Sequence, residues 1–184
     1  MELERKFQPR ATGQTGGLAL GAGAVVEGYA SVFGRPDQGG DVVVAGAYAK
    51  GLARMAREGR KVRMLWQHDP ASPIGIWDEV REDATGLWVK GRILTELAQG
   101  REAAALVAAG AIDGLSIGYR TVKADRDAAG LRRLVEVELW EVSLVTFPMQ
   151  AEARVEAKET ESSWRDLATL FEAARAELIR VRQG

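Results

Sequence analysis

Three polar side chains have the types needed to activate a hydroxyl group for attack on a carbonyl: Ser116, His68 and Glu141. A serine becomes nucleophilic near neutral pH only when a base removes its proton, and an acceptor that orients the base helps it. His68 is the single histidine of the 184-residue chain, so any histidine-dependent reaction must use it. The absence of cysteine excludes thiolate nucleophiles, disulfides and cysteine-ligated zinc.

The serine lies in a segment, residues 114–122, that alternates as a strand. Because side chains alternate across a strand, Gly114, Ser116 and Gly118 share one face, and Leu115 and Ile117 line the other. A serine between two glycines of its own face has little side-chain cover, so a peptide backbone can approach it closely. The structural alternative is a serine at a tight bend or a close strand contact.

The histidine ends another predicted strand, residues 61–68. Alternation places Val62, Met64, Trp66 and His68 on one face, so the imidazole ends an apolar row. It is a candidate general base. The alternative is a partly buried structural histidine, since histidine is commonly of intermediate burial.

The carboxylate belongs to the long apolar run of residues 131–147. Strand alternation places Glu141 on the face of Val137, Leu139 and Ser143, where it is a lone carboxylate in an apolar row. A buried charge is costly unless it is paired. Its partner is then either an imidazole or an arginine in a structural ion pair.

Other chemical interpretations of these residues are weaker. Residues 114–118 match G-x-S-x-G, but the nucleophile elbow of α/β-hydrolases needs a helix after the serine and a histidine late in the chain. Lys90 and Lys123 could act as the base of a Ser-Lys dyad, but both are better interpreted as solvated strand lysines. Four turn aspartates lack the spacing of a metal site, so no metal is predicted. They are Asp37, Asp41, Asp69 and Asp78.

The overall composition excludes several classes of partner. The formal net charge of -1 gives no general attraction to nucleic acid or to an anionic membrane. No run approaches the ~18 apolar residues of a membrane span. The charged N-terminus lacks the apolar segment of a secretory signal.

The chain divides into three predicted regions. Residues 1–23 form a Gly-rich flexible leader, 24–155 the folded body, and 156–184 a charged linker with a C-terminal amphipathic helix. Within the body, strands are predicted at 24–33, 61–68, 73–80, 86–94, 114–122 and 131–147, and helices at 46–57 and 96–109. This pattern indicates a mostly β (α+β) fold built on an antiparallel β-barrel.

Four segments together resemble the prohead (capsid maturation) proteases of HK97-like tailed phages. They are EGYASVFG with the following GGDVVVAGAY, MLWQHDPASPIG, GLSIGYRT and LWEVSLVTFPM. The resemblance runs from about Val26 to Phe147 and implies the fold of herpesvirus assemblins, a β-barrel wrapped by helices. Assemblins have a second histidine where this chain has Glu141. They also place an oxyanion arginine pair where this chain has 147–150, so no oxyanion residue is assigned.

The resemblance implies a serine endopeptidase with Ser116 as nucleophile, His68 as base and Glu141 as the group that orients it. Its expected substrates are the scaffolding segment of the major capsid protein and the protease itself, cut within the leader or near 156–163. It would act in the host cytoplasm inside the assembling prohead, without a cofactor, and a homodimer stays open. The alternatives are an inactive capsid-assembly factor with the same fold and an esterase with an enclosed pocket.

Overall fold

The structure, a computed structural model, describes residues 24–157 of the chain. The predicted leader and the predicted C-terminal helix lie outside these residues. The described part forms one eight-stranded sheet and two helices. The strands are β1 Ala24–Val32, β2 Asp41–Val43, β3 Arg63–Trp66, β4 Asp69–Glu82, β5 Gly86–Ile93, β6 Gly114–Arg126, β7 Arg132–Val145 and β8 Val155–Ala157; the helices are α1 Ala49–Arg57 and α2 Ala98–Ala108.

The sheet curls into a half-barrel and is mixed, which corrects the predicted antiparallel barrel in part. β6 pairs with one side of β7 in antiparallel fashion. On the other side of β7, β2 and β3 both run parallel to it. The remaining pairs, β3–β4, β4–β5, β1–β5 and β1–β8, are antiparallel. Alternation within a strand does not specify the direction of its neighbour, so the sequence pattern could not distinguish these arrangements.

The segment after β7 links the two ends of the curled sheet. The Val155 amide donates to the Asp113 carbonyl at 2.8 Å, and the Leu115 amide donates to the Ala153 carbonyl at 2.9 Å. β8 then pairs with β1. This bridge brings the start of β6 beside β1, which is the region of the predicted nucleophile.

Both helices and the β4–β5 hairpin confirm predictions from the local pattern. α2 ends before Gly110, whose φ of 65° is the left-handed conformation that glycine adopts easily after a helix. α1 packs on β7 through Gly51, where an added Cβ would lie 2.8 Å from the Val137 carbonyl oxygen. Neither helix of the described part is long and apolar enough to cross a membrane.

The core consists of aliphatic side chains from the inner face of the sheet. Val26, Leu87, Val89, Leu115, Leu139 and Leu144 are all at most 1% exposed. Each contributes roughly 1.5–3 kcal/mol through burial. Leu115 and Leu144 are cross-strand partners in β6 and β7, so this inner packing also sets which residues of the two strands face outward.

A bulge in β7 corrects the predicted face of Glu141. Tyr119 pairs with Leu139 and Gly118 pairs with Glu141, so Trp140 is an extra residue without a partner on β6. Such a bulge reverses the alternation of the strand. Glu141 therefore lies on the face opposite Leu139, and Trp140 is 54% exposed. The prediction that Glu141 shares the face of Val137 and Leu139 was wrong.

Candidate active site

Ser116 lies in β6 directly opposite Ser143 of β7. Directly opposed residues have Cα atoms about 4.5–5.5 Å apart and side chains on the same face. Leu115 is fully buried on the other face, as the alternation predicted. Ser116 is only 4% exposed, and its hydroxyl makes no hydrogen bond to any residue of the range 24–157. The serine is thus held by the strand pair while its hydroxyl stays uncommitted.

His68 lies in the two-residue turn between β3 and β4, which corrects its predicted position at the end of a strand. Gln67 and His68 have φ values of 53° and 62°. Two consecutive left-handed residues are typical of a type I′ hairpin turn, which matches the twist of the strands it joins. The His68 amide donates to the Ser143 hydroxyl at 3.1 Å. The turn therefore docks on β7 and leaves the imidazole side chain 43% exposed.

Glu141 contacts the imidazole directly. Its Oε1 lies 2.6 Å from His68 Nδ1. A carboxylate can only accept a hydrogen bond, so Nδ1 carries the proton and Nε2 keeps its lone pair in the neutral ring. The Glu141 side chain is only 11% exposed. Of the two partners that the sequence left open, imidazole or arginine, the structure selects the imidazole.

Ser143 is a further residue of the site, for which the sequence pattern indicated no role. Its hydroxyl donates to Glu141 Oε2 at 2.6 Å and accepts the His68 amide. It is completely buried. Strand alternation had predicted that it shares a face with Glu141, and the structure confirms this because the two residues lie on the same side of the bulge. Ser143 thus holds both the carboxylate and the histidine turn in place.

Gly118 leaves room for the carboxylate. It pairs with Glu141 across the β6–β7 ladder, and a Cβ added to it would overlap the Glu141 Oε1 atom. That oxygen is the one that contacts His68. Glycine at position 118 therefore serves two purposes. It leaves space for the Glu141 carboxylate, and it keeps Ser116 accessible.

Glu141 also controls the titration of His68. The hydrogen bond to its carboxylate raises the pKa of His68 above the ordinary 6.5, and partial burial of the ring opposes this. Since the chain has a single histidine, its ring signals titrate alone in an NMR spectrum of protein freed of any histidine tag. We expect a midpoint above 6.5 that falls toward 6.5 in Glu141→Gln. A wild-type midpoint at or below 6.5 would contradict the contact.

Gly118→Ala is expected to lower the His68 pKa toward 6.5 without unfolding the protein. The added methyl group displaces Glu141 Oε1 and so weakens the contact that raises the pKa. The same NMR titration measures the effect. In a Glu141→Ala background the methyl group has no carboxylate to displace, so Gly118→Ala should change the His68 pKa no further. An equal shift of the His68 pKa in both backgrounds would show that Gly118→Ala does not act through the Glu141 carboxylate.

The remaining candidate residues are not brought to this site. Lys90 lies 3.5 Å from Glu27, across the β1–β5 pair, and Lys123 is exposed further along β6. Asp69 and Asp78 belong to β4, apart from Asp37 and Asp41. No group of three residues with metal-binding side chains occurs within 24–157. Ser116 is followed by strand rather than helix, so the hydrolase-elbow interpretation stays rejected.

The arrangement provides the parts of acid–base chemistry at a hydroxyl group. An uncommitted serine lies opposite the residue that anchors a histidine turn, and a carboxylate orients that histidine with Nε2 free to accept a proton. This is the set of roles that hydroxyl nucleophiles require in acyl transfer.

Comparison with known proteins confirms the resemblance seen in the sequence. A family model described as caudovirus prohead serine protease matches residues 15–166. The prohead protease of Enterobacteria phage HK97 is 32% identical over 143 residues, which cover 76% of this chain and 62% of that protein. The chain therefore spans less than two thirds of the length of this curated relative.

Two solved structures share the fold. The capsid assembly protease of bacteriophage T4, gp21, superposes with a TM-score of 0.55 at 14% identity, covering 67% of this chain and 82% of that one. The KSHV protease, solved with a hexapeptide phosphonate inhibitor, gives a TM-score of 0.50 at 14% identity, covering 86% and 75%. The expected likeness in fold to herpesvirus proteases is thus confirmed, with a mixed half-barrel in place of the antiparallel barrel. With the family match over most of its length, the chain belongs to the caudovirus prohead serine proteases.

Proposed function

We propose that this member of the caudovirus prohead serine protease family is an endopeptidase in which Ser116 is the nucleophile, His68 the general base and Glu141 the group that orients the base. The observation that carries the assignment is the 2.6 Å contact between Glu141 Oε1 and His68 Nδ1, beside the Ser116–Ser143 strand pair. It gives the single histidine the tautomer that a base needs.

The proposed reaction proceeds by acyl transfer. Ser116 Oγ attacks the scissile carbonyl carbon while His68 Nε2 takes the hydroxyl proton. As the C–N bond breaks, the imidazolium returns that proton to the leaving amine, which leaves an acyl ester on Ser116. Water then attacks the ester with His68 again as base, and the carboxylic acid product and free serine result. Glu141 stabilises the imidazolium in both steps.

The proposed substrates are the scaffolding segment of the major capsid protein and the protease itself. The support is family membership together with the names of the HK97 and T4 relatives, a prohead protease and a capsid assembly protease. The place of action follows from the substrate: inside the assembling prohead, within the host cytoplasm.

Co-expression with the neighbouring capsid protein tests this proposal. Wild-type protease and Ser116→Ala are each produced with the capsid protein, and intact masses of both proteins are measured. We expect both to shorten only when Ser116 is present. If neither shortens while particles still assemble, the chain is instead an inactive assembly factor with the protease fold.

A further inference from the structure

We propose that the cavity beside Ser116 binds a lysine or arginine side chain of the substrate, at a position adjacent to the scissile bond, with Asp37 as the residue that determines this specificity. The inference deepens the proposed function and rests on it. It depends on the shape of the cavity, on the polarity of its wall and on the Asp37 carboxylate, which pairs with no cation of residues 24–157.

The cavity lies next to the proposed nucleophile, between β1 and β6. It has a volume of about 180 Å³, and Ser116 forms part of its wall. Most of the remaining wall is apolar, provided by Ala30, Val43, Ile117 and Met149. The polar part of the wall contains two carboxylates, Asp37 and Asp41, beside Ser31, Tyr119 and Gln150. An apolar wall with an acidic part matches a side chain that has an alkyl stem and a cationic head.

The two carboxylates differ in their partners. Asp41 Oδ2 lies 2.6 Å from Arg132 Nη1, so this carboxylate has a cationic partner. Asp37 uses Oδ1 to accept the amides of Gly39 at 2.8 Å and Asp41 at 2.9 Å. No lysine or arginine of residues 24–157 pairs with Asp37. Its turn thus holds, at the cavity, a carboxylate that has no cationic partner among the described residues.

Both carboxylates act electrostatically on a third side chain that lines the cavity. Tyr119 is another wall residue, and its pKa is raised to about 12, first by burial and then by the charges of Asp41 and Asp37, which the charge of Arg132 only partly opposes. A field that opposes formation of a phenolate also opposes an acidic substrate side chain and favours a cationic one.

The cavity is held in shape by hydrogen bonds between the two loops that form its rim. The Gln38 amide donates to the Met149 carbonyl at 2.9 Å. Gln150 Nε2 donates to the Val32 and Arg35 carbonyls, at 2.9 and 3.0 Å. A pocket that is already formed loses less free energy in ordering when a side chain enters. The predicted self-cleavage regions contain suitable residues, Arg10 in the leader and Lys158 near 156–163.

Cleavage of a complex peptide mixture tests the inference. Full-length protease, and Ser116→Ala as blank, are incubated with natural peptides prepared by a protease that does not cut at basic residues, and new termini are identified by mass spectrometry. We expect lysine or arginine to flank the cut on one side. The best peptide is then compared with copies carrying norleucine or glutamate there. The lysine peptide should exceed the norleucine peptide in kcat/KM by about 10- to 100-fold.

Asp37→Asn isolates the charge. The amide oxygen can still accept the two backbone amides of the turn, so the fold of the loop is kept. We expect the preference for lysine over norleucine, taken as the ratio of the two kcat/KM values, to fall about tenfold or more. Asp78→Asn, a change at an exposed aspartate of β4, serves as the matched control and should leave the preference unchanged.

The outcomes separate this inference from the proposed function. The inference alone is overturned if Ser116-dependent cleavage occurs without a basic residue beside the cut. It is also overturned if the preference for lysine over norleucine survives Asp37→Asn. Absence of any Ser116-dependent cleavage overturns both. A basic residue beside the cut whose preference is lost in Asp37→Asn supports both.

Discussion

The Ser116→Ala variant is expected to cleave a peptide substrate about 10⁴-fold more slowly than wild type, or slower still, measured as kcat/KM. The substitution removes Oγ, which is the only protein atom that forms a bond to the substrate in the proposed mechanism. Because the Ser116 hydroxyl makes no hydrogen bond to the described residues, the change should leave the thermal unfolding midpoint nearly unaltered. A continuous assay with an internally quenched peptide and a thermal melt measure both quantities.

Ser143→Ala is the matched control, since the same atom is removed from the serine directly across the ladder. Ser143 holds Glu141 and the His68 amide, so its loss should lower the rate by only about tenfold and lower the stability by about 1–2 kcal/mol. The two substitutions should therefore have opposite effects. Ser116→Ala should lower the rate far more than Ser143→Ala does, and Ser143→Ala should lower the stability more than Ser116→Ala does. An inactive Ser143→Ala beside an active Ser116→Ala would exchange their roles.

Glu141→Gln is expected to lower kcat by about 10³- to 10⁴-fold and to shift the pH profile. An amide that turns its NH₂ group toward Nδ1 favours the wrong imidazole tautomer. The free-base form of His68 is the active one, so wild-type kcat/KM should rise with pH through a pKa above 6.5. Without the carboxylate that pKa falls, and the acidic limb should move to lower pH. Rates from about pH 5 to 9 measure both effects.

Glu138→Gln provides the comparison for this pH experiment. Glu138 is also a buried carboxylate of β7, but it contacts Arg120, Arg54 and Arg60 rather than the histidine. Its loss should affect stability and leave the acidic limb in place. If Glu141→Gln keeps more than about a tenth of the wild-type rate, Glu141 is not the group that orients the base.

The residue types and the local patterns of the chain determined the chemistry that was open to it. One histidine and no cysteine left a single candidate base and excluded thiolate catalysis. Alternation in residues 114–118 separated the serine face from the core face, and the structure keeps that separation because β6 is regular over these residues. The β4–β5 hairpin and both helices also follow from short-range periodicity, turn residues and helix ends, which depend on neighbours in the chain.

Only the tertiary structure decided how Glu141 meets His68 and where Ser116 lies relative to that pair. The sequence pointed to Glu141 through an unbroken alternation, whereas the bulge at Trp140 turns it to the outer face, beside Ser143 and opposite Gly118. His68 reaches it from a left-handed turn that is anchored to β7 rather than from a strand. A bulge and a docked turn depend on hydrogen bonds to partner strands distant in sequence. Counting residues along one strand cannot detect them, because alternation holds only between such irregularities.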